Sequence, residues 1–459
     1  MKKIKIVTLF LAVLMLVSSF SAVFVNAEEL EQSLTLSLGA EPDSLDVSRT
    51  SDAYSEEVLV QIMEPLTRIE AVDEKTLKFT LEFPVPYFLS LSSSHLINAQ
   101  REDIIEEFGT SYGTDADKMV CCGPFLIEDW IHNSEITFVK NENYWDADSV
   151  KLERMTFKII EEDTALMGEF MNGNVDIIGG GSLEWIEMLE AEEKYDRVTK
   201  DIPRTSYFFF NQDAEPFNNV KVRQAFSLAL DREEISNVLE QGLTVPAYGW
   251  CAPVIFCDDV NFREVAGDPL KDFAEEHEDP QALLIEGLKE LGLSEDPADL
   301  TVTLMYADKT DIDFVEYFQQ KFNEVLGVNV ELDPDEWPVF QERNRQLDYE
   351  FGFKSWGAGQ NDPSEYLNLW RTGNKTVPIA WSNEKYDNLV NSANESLNTE
   401  ERVEKFVEAE RILLVEDAAI APFYYHTTDL FIQPEVKGLM FPNFAAPVYK
   451  YVTIEAVEE

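Results

Sequence analysis

The sequence predicts an α/β fold spread over more than one lobe, on three observations. The chain has 459 residues, more than one compact core accommodates, so two or three lobes are expected. Short segments that alternate apolar and polar residues at period two recur along it, as half-buried strands do. Between Val302 and Leu332 a strand, a helix and a second strand follow one another, the order of a right-handed βαβ unit in a mixed sheet.

The elements follow in chain order. Lys2, Lys3 and Lys5 precede an apolar run from Ile6 to Val17, and Val25, Asn26 and Ala27 present small side chains before Glu28. Residues 1–27 therefore read as a removable signal peptide, the apolar run being shorter than the ~20 residues a spanning helix needs. Export to the periplasm or extracellular space is expected. No cysteine lies near the cleavage site, so the mature protein is expected to lack a lipid anchor. Leu34 to Gly39 alternates as a strand and runs into the turn-rich Ala40 to Asp46. Further strands are predicted at Thr76 to Leu81, Ile136 to Val139 and Met155 to Ile160, and an amphipathic helix from Val220 to Leu239. Val302 to Tyr306, Val315 to Val325 and Val328 to Leu332 make the βαβ unit. Glu400 to Glu416 reads as a helix, Ile420 to Tyr425 as an apolar strand, and Val448 to Ile454 as a terminal strand-like segment. Pro- and Gly-containing stretches at Thr244 to Pro253 and Asp268 to Pro280 are candidate boundaries.

Composition excludes several functions. The 88 acidic and 36 basic residues give a formal net charge of −52, which repels nucleic acid and anionic membrane surfaces. No Gly-x-Ser-x-Gly elbow, His-Glu-x-x-His pair or phosphate loop is present, and acidic pairs are too widespread to mark a glycosidase couple. The four cysteines lack the Cys-x-x-Cys spacing of zinc sites, and His95, His132, His277 and His426 lie in unrelated contexts. No cofactor and no metal are expected.

Several segments, in order, resemble the extracellular solute-binding proteins that serve dipeptide and oligopeptide ABC importers. They include AEPDSLD at Ala40, EPLTRIE at Glu64, AVDEKTLKFTLEFPVPYFL at Ala71, GPFLIEDW at Gly123, KNENYWD at Lys140 and FMNGNVDI at Phe170. FNNVKVRQAFSLALDREEI at Phe217, SWGAGQNDPSEYL at Ser355, WSNEKYDNLV at Trp381 and EAERILLVEDAAIAPFYY at Glu408 complete the series. The resemblance implies a periplasmic-binding-protein-like α/β fold, two large mixed-sheet lobes joined by a hinge. It implies lobe I from residues 28–50, 140–245 and 431–459, and a second ligand-clasping lobe from 246–430. The accessory lobe, 51–139, is expected to be truncated, because the chain steps from Glu70 directly to Ala71 where the family inserts a long stretch. The implied partners are a peptide or other small polar ligand and a membrane permease; the protein is expected to be a monomer without catalytic activity. An oligosaccharide receptor, or a secreted hydrolase or non-transport protein on the same fold, is the alternative.

In this family an extended ligand pairs with an exposed strand and lobe closure excludes water. The resemblance places Ala40, Glu41 and Pro42 beside the ligand, with Glu41 equally readable as a solvated turn acid. In the run YFFFN, Tyr207, Phe209 and Asn211 share one face and Phe208 and Phe210 the other; Tyr207 and Asn211 are expected to face the cleft. Trp250 faces the cleft or packs between the lobes. Trp356, Gly359, Asn361 and Asp362 lie on a turn beyond a strand, where ligand sites form. Gly359 stands where peptide-binding members carry an aspartate that holds the ligand's amine. Asp362 is a possible replacement, or with Pro363 an ordinary turn. Cys251 and Cys257 are expected to form a disulfide in an oxidising compartment, while Cys121 and Cys122 stay free or pair with another chain.

Overall fold

The computed structural model describes residues 32–38, 70–73, 76–78, 101–374, 376–444 and 446–457. The first strands are β1 (Ser33–Leu38), β2 (Glu70–Asp73), β3 (Thr76–Lys78), β4 (Phe125–Ile131), β5 (Glu135–Lys140), β6 (Arg154–Ile159) and β7 (Ile177–Gly179). They are followed by β8 (Asp196–Phe210), β9 (Thr244–Pro246), β10 (Phe256–Cys257), β11 (Val260–Asn261), β12 (Thr301–Ala307) and β13 (Asn329–Asp335). The last are β14 (Phe351–Gly357), β15 (Ile420–Ile432), β16 (Val436–Lys437) and β17 (Thr453–Ile454). One mixed sheet of eleven strands runs in the order β13-β12-β14-β8-β15-β7-β1-β6-β5-β4, with β9 added on β15.

The sheet passes through both lobes because β8 and β15 are long enough to belong to each. In lobe I, β1 lies parallel to β6 and β7, and Leu430 to Ile432 of β15 pair with β7. The alternation of β1 buries Leu34, Leu36 and Leu38 with Ile136, Phe138, Met155 and Phe157. In the second lobe β12 lies parallel to β13 and β14, and Arg204 to Phe210 of β8 pair with β14. The β8–β15 register shifts between Tyr425 and Thr427, where the two strands leave one lobe for the other. Such bulges bend a strand and raise its twist, which suits the crossing point.

The βαβ unit forms as expected, with helix Ile312–Leu326 between β12 and β13. Its Phe314, Val315, Phe318, Phe322 and Leu326 recur at helical spacing and are buried against the sheet. Asp311 caps its start, and Gly327, at φ 80°, ends it in the left-handed conformation.

Four expectations are corrected by the packing. Val220 to Leu239 is not one helix: helix Val220–Leu228 stops, Asp231 caps a new turn at Glu234, and Ile235–Leu239 forms a π-helical turn. The break leaves the Ser227 and Leu230 carbonyls to buried Arg232, whose guanidinium donates to them at 3.1 and 3.3 Å and also to Ala247 O (2.9 Å) and Pro422 O (2.8 Å). Neither candidate boundary is an exposed linker: Thr244–Pro246 pairs with β15, Ala247 and Trp250 are core residues, and Asp268 to Pro280 contains helix Pro269–Glu276. Strands β4 and β5 hydrogen-bond into the lobe I sheet, so residues 125–139 extend that lobe instead of belonging to an accessory one. The terminal strand is shorter than expected. Val448 makes a single antiparallel bridge to Met440 and Thr453–Ile454 pairs with β16, while Ile454 exchanges two hydrogen bonds with the Gln32 side chain and returns the tail to lobe I.

Candidate functional site

β14 pairs with β8 along its whole length, Phe351 opposite Phe210 and Gly357 opposite Arg204, but meets β12 only at Phe351 and Gly352. From Phe353 to Gly357 its other edge carries no strand among the described residues. Such an edge offers unpaired backbone groups to an extended segment. Beyond it, Ala358 N donates to Pro203 O at 2.7 Å, and the chain turns into helix Pro363–Leu367.

Gly359 lies exposed on this turn, and a Cβ built there meets no atom within 4 Å. Its backbone does not require glycine, so the position has room for a side chain. Glu365 is adjacent: burial raises its carboxyl above the ordinary range, opposed by a bond from the Gly359 N–H. Trp356 packs partly buried on the second-lobe core, its indole Nε1 without an acceptor among the described residues.

The other expected site residues are held in the scaffold. Asp362 is 2 % exposed; its Oδ1 accepts from Ser364 N at 2.9 Å, and Arg402 Nη2 donates to its two oxygens at 2.9 and 2.8 Å. Arg402 is fully buried and also donates to Ala393 O (3.1 Å) and Cys257 Sγ (3.2 Å). Asp362 is therefore a helix cap and half of a buried ion pair, which fits its reading as a turn residue and not the one as a replacement anchor. Asn361 Oδ1 accepts from Phe256 N at 2.7 Å. Tyr207 is fully buried, edge-on to Trp250 (4.7 Å) and Trp370 (5.5 Å). Asn211 donates to Leu347 O and Tyr349 O, both at 2.9 Å. Both are corrected from cleft to core: Tyr207 and Phe209 enter one apolar cluster, Phe208 and Phe210 another, so neither face of this strand is free. Trp250 is fully buried, its Nε1 donating to Tyr366 O at 3.0 Å. Ala40, Glu41 and Pro42 lie outside the described residues.

Cys251 and Cys257 are free, buried thiols, which corrects the expected disulfide. Different buried charges surround each. Glu410 Oε1 accepts from Trp250 N (2.8 Å), Cys251 N (2.9 Å) and Arg263, whereas Cys257 sits on the β10–β11 hairpin beside Arg402. Burial raises both thiols, Cys257 to about 12 against the opposing charge of Arg402, so the reactive thiolate is disfavoured. Cys121 and Cys122 are free.

A cavity of about 810 Å³ opens on the opposite face of the crossing strands, near the bulge in β15. Its walls come from β8, β14 and β15, the start of helix Ile312–Leu326, and the π-helical turn after Glu234. Ser206 Oγ and His426 Nε2 lie 2.9 Å apart in it. Burial, aided by the charge of Arg204, pulls the His426 imidazole down to about 4, so it is neutral near pH 7. Sequence reasoning missed this cavity; it treated His426 as a lone histidine, and the alternation of β15 was the one available signal. Among the described residues no cluster of three or more His, Cys, Asp or Glu side chains could hold a metal, and no helix is long and apolar enough to cross a membrane.

The chain is similar in sequence and in fold to known proteins. The chain is 30 % identical over 378 residues to the dipeptide-binding protein DppE of Bacillus subtilis (strain 168), covering 81 % of this chain and 67 % of that one. It is 30 % identical over 381 residues to the oligopeptide-binding protein OppA of the same organism, covering 82 % and 68 %. The fold is shared with the substrate-binding domain of an oligopeptide ABC transporter from Bacillus anthracis str. Ames (TM-score 0.70, 21 % identity, 93 % of this chain and 99 % of that one). It is likewise shared with Listeria monocytogenes OppA bound to peptide (TM-score 0.69, 24 % identity, 93 % and 100 %). The model of the bacterial extracellular solute-binding proteins, family 5 Middle, matches residues 25–377, and the chain belongs to that family of two-lobed solute-binding proteins.

Proposed function

We propose that this chain is an exported receptor that captures peptides, or related small polar ligands, between its lobes and delivers them to the permease of an ABC importer. The open β14 edge from Phe353 to Gly357 carries the reading, because an extended ligand adds to it as a further strand by backbone hydrogen bonds. Backbone pairing is indifferent to side chains, which suits uptake of varied peptides. The names of the relatives support this choice over oligosaccharides. No covalent step is involved, in keeping with the absence of nucleophile and metal motifs from the sequence.

The receptor is released by cleavage before Glu28, and Ala40, Glu41, Trp356 and Gly359 border its ligand. The room at Gly359 supports a ligand amine held differently from that of relatives with an aspartate there, with neighbouring Glu365 an available acid. The accessory lobe is reduced; the β2–β3 hairpin runs continuously through the Glu70–Ala71 step, and the relatives are longer. The test is native mass spectrometry of the mature chain incubated with a mixture of two- to five-residue peptides, followed by calorimetric titration of those retained. Retention of peptides with dissociation constants of about 10 μM or tighter supports the proposal. Retention of neutral oligosaccharides and no peptide overturns it.

A further inference from the structure

The cavity beside the strand crossing is lined by acidic side chains and aromatic rings together. Four carboxylates line it: Glu234, Glu240, Asp311 and Asp313. Glu234 is neutralised, pairing with Lys321 and accepting from Tyr317 Oη at 2.8 Å. Glu240, Asp311 and Asp313 pair with no cation among the described residues. Burial and the negative charge of Asp311 raise the Glu240 carboxyl, so the two carboxylates repel one another. Lys354 also borders the cavity, but its ammonium donates to Asn344 Oδ1 at 2.6 Å and lies 5.1 Å over the Phe209 ring, on the other face of the sheet.

The same cavity is lined by aromatic side chains that include Phe314, Phe353, Phe423 and Tyr424, with the neutral Ser206–His426 pair among the lining residues. Such a lining takes an alkyl stem, and its ring faces attract a cation at the stem's end. About 810 Å³ lies within the range of small-ligand pockets and exceeds the space a single side chain needs.

We propose that this cavity is a specificity subsite for a basic side chain of the captured ligand, its stem against the aromatic side chains and its charge against Glu240 and Asp311. The inference rests on the peptide-capture reading and narrows it to peptides carrying lysine or a similar cation. Bound there, the cation relieves the repulsion between the two carboxylates and gains charge-assisted hydrogen bonds.

The experiment is calorimetric titration of the mature chain with Ala-Lys-Ala, Ala-norleucine-Ala and Ala-Glu-Ala, matched in length and backbone. The lysine peptide is expected to bind about tenfold more tightly than the norleucine peptide, one charge-assisted bond's worth, and the glutamate peptide most weakly. In Glu240→Gln/Asp311→Asn the lysine-to-norleucine ratio falls to near one while the thermal midpoint is kept. Should that variant unfold, Glu240→Gln alone, together with a selective weakening of lysine-peptide binding at higher ionic strength in the unaltered chain, makes the same test. A ratio near one in the unaltered chain, or an undiminished ratio in a folded variant, overturns the subsite and leaves peptide capture standing. Binding of none of the three peptides overturns both.

Discussion

Replacing Asp362 by Asn removes one charge from a pair almost wholly shielded from water. Asp362 is 2 % exposed and Arg402 fully buried, with Arg402 Nη2 donating to both carboxylate oxygens at 2.9 and 2.8 Å. The substitution leaves the guanidinium in the interior with only the Ala393 carbonyl, the Cys257 sulfur and a neutral amide. Breaking a buried pair from one side costs about 3–5 kcal/mol. The cap on helix Pro363–Leu367 contributes little to that figure, because Asn caps nearly as well as Asp. If the second lobe unfolds as its own unit, a loss of this size lowers its midpoint by about 10 °C. Differential scanning calorimetry of the mature chain measures it, and titration with matched free and N-acetylated peptides is the companion assay. The expected result is a large drop in stability with the free-to-acetylated affinity ratio unchanged. Asp362→Leu with Arg402→Met, an apolar pair of similar volume, is expected to recover most of the loss. An Asp362→Asn protein that melts within about 2 °C of the parent and no longer distinguishes free from acetylated peptides would refute this reasoning and make Asp362 the ligand's anchor.

Alkylation of the unfolded, non-reduced protein should modify both Cys251 and Cys257, and the native protein should react slowly at both because burial keeps them as thiols; a disulfide-linked peptide in the digest contradicts this. Gly359→Asp should fold normally, since no atom lies within 4 Å of its Cβ, and should raise the preference for free over N-acetylated peptides about tenfold by calorimetry; unchanged affinities mean that the turn lies away from the ligand's amine. The folded value of His426, about 4 against an ordinary 6.5, keeps it neutral in the fold while the unfolded chain takes up a proton. The sign follows: its contribution is full above about pH 6.5 and is lost as pH falls toward 4, by up to about 3 kcal/mol. Urea unfolding across that range should therefore show a shallower acid limb in His426→Gln than in the parent, and parallel limbs count against burial of the neutral ring.

Local pattern alone was enough for the elements whose formation depends on near neighbours in the chain. Leu34, Leu36 and Leu38 announce a strand with one buried face, and the Phe314, Phe318 and Phe322 spacing announces a helix against a sheet, because side-chain period and burial are tied together wherever an element has one wet face. The order of matching segments likewise made the family legible before any coordinates. The same pattern could not say what covers a strand on each side. Alternation divided Tyr207 and Phe209 from Phe208 and Phe210 correctly, yet both faces are dry, since helices and loops from residues far along the chain pack on each. Asp362 looked like a turn acid or an anchor until folding brought Arg402, forty residues on, against it. Cys251 and Cys257, close in sequence, are free thiols with different partners: Glu410 accepts from the Cys251 backbone and Arg402 donates to the Cys257 sulfur. Glu240, Asp311 and His426 carry no motif and meet only across three elements. Short-range periodicity thus determined which segments are strands and helices, whereas buried charge pairing and the cavity were decided by long-range packing, because an ion pair or a pocket wall depends on distance in space and not on spacing along the chain.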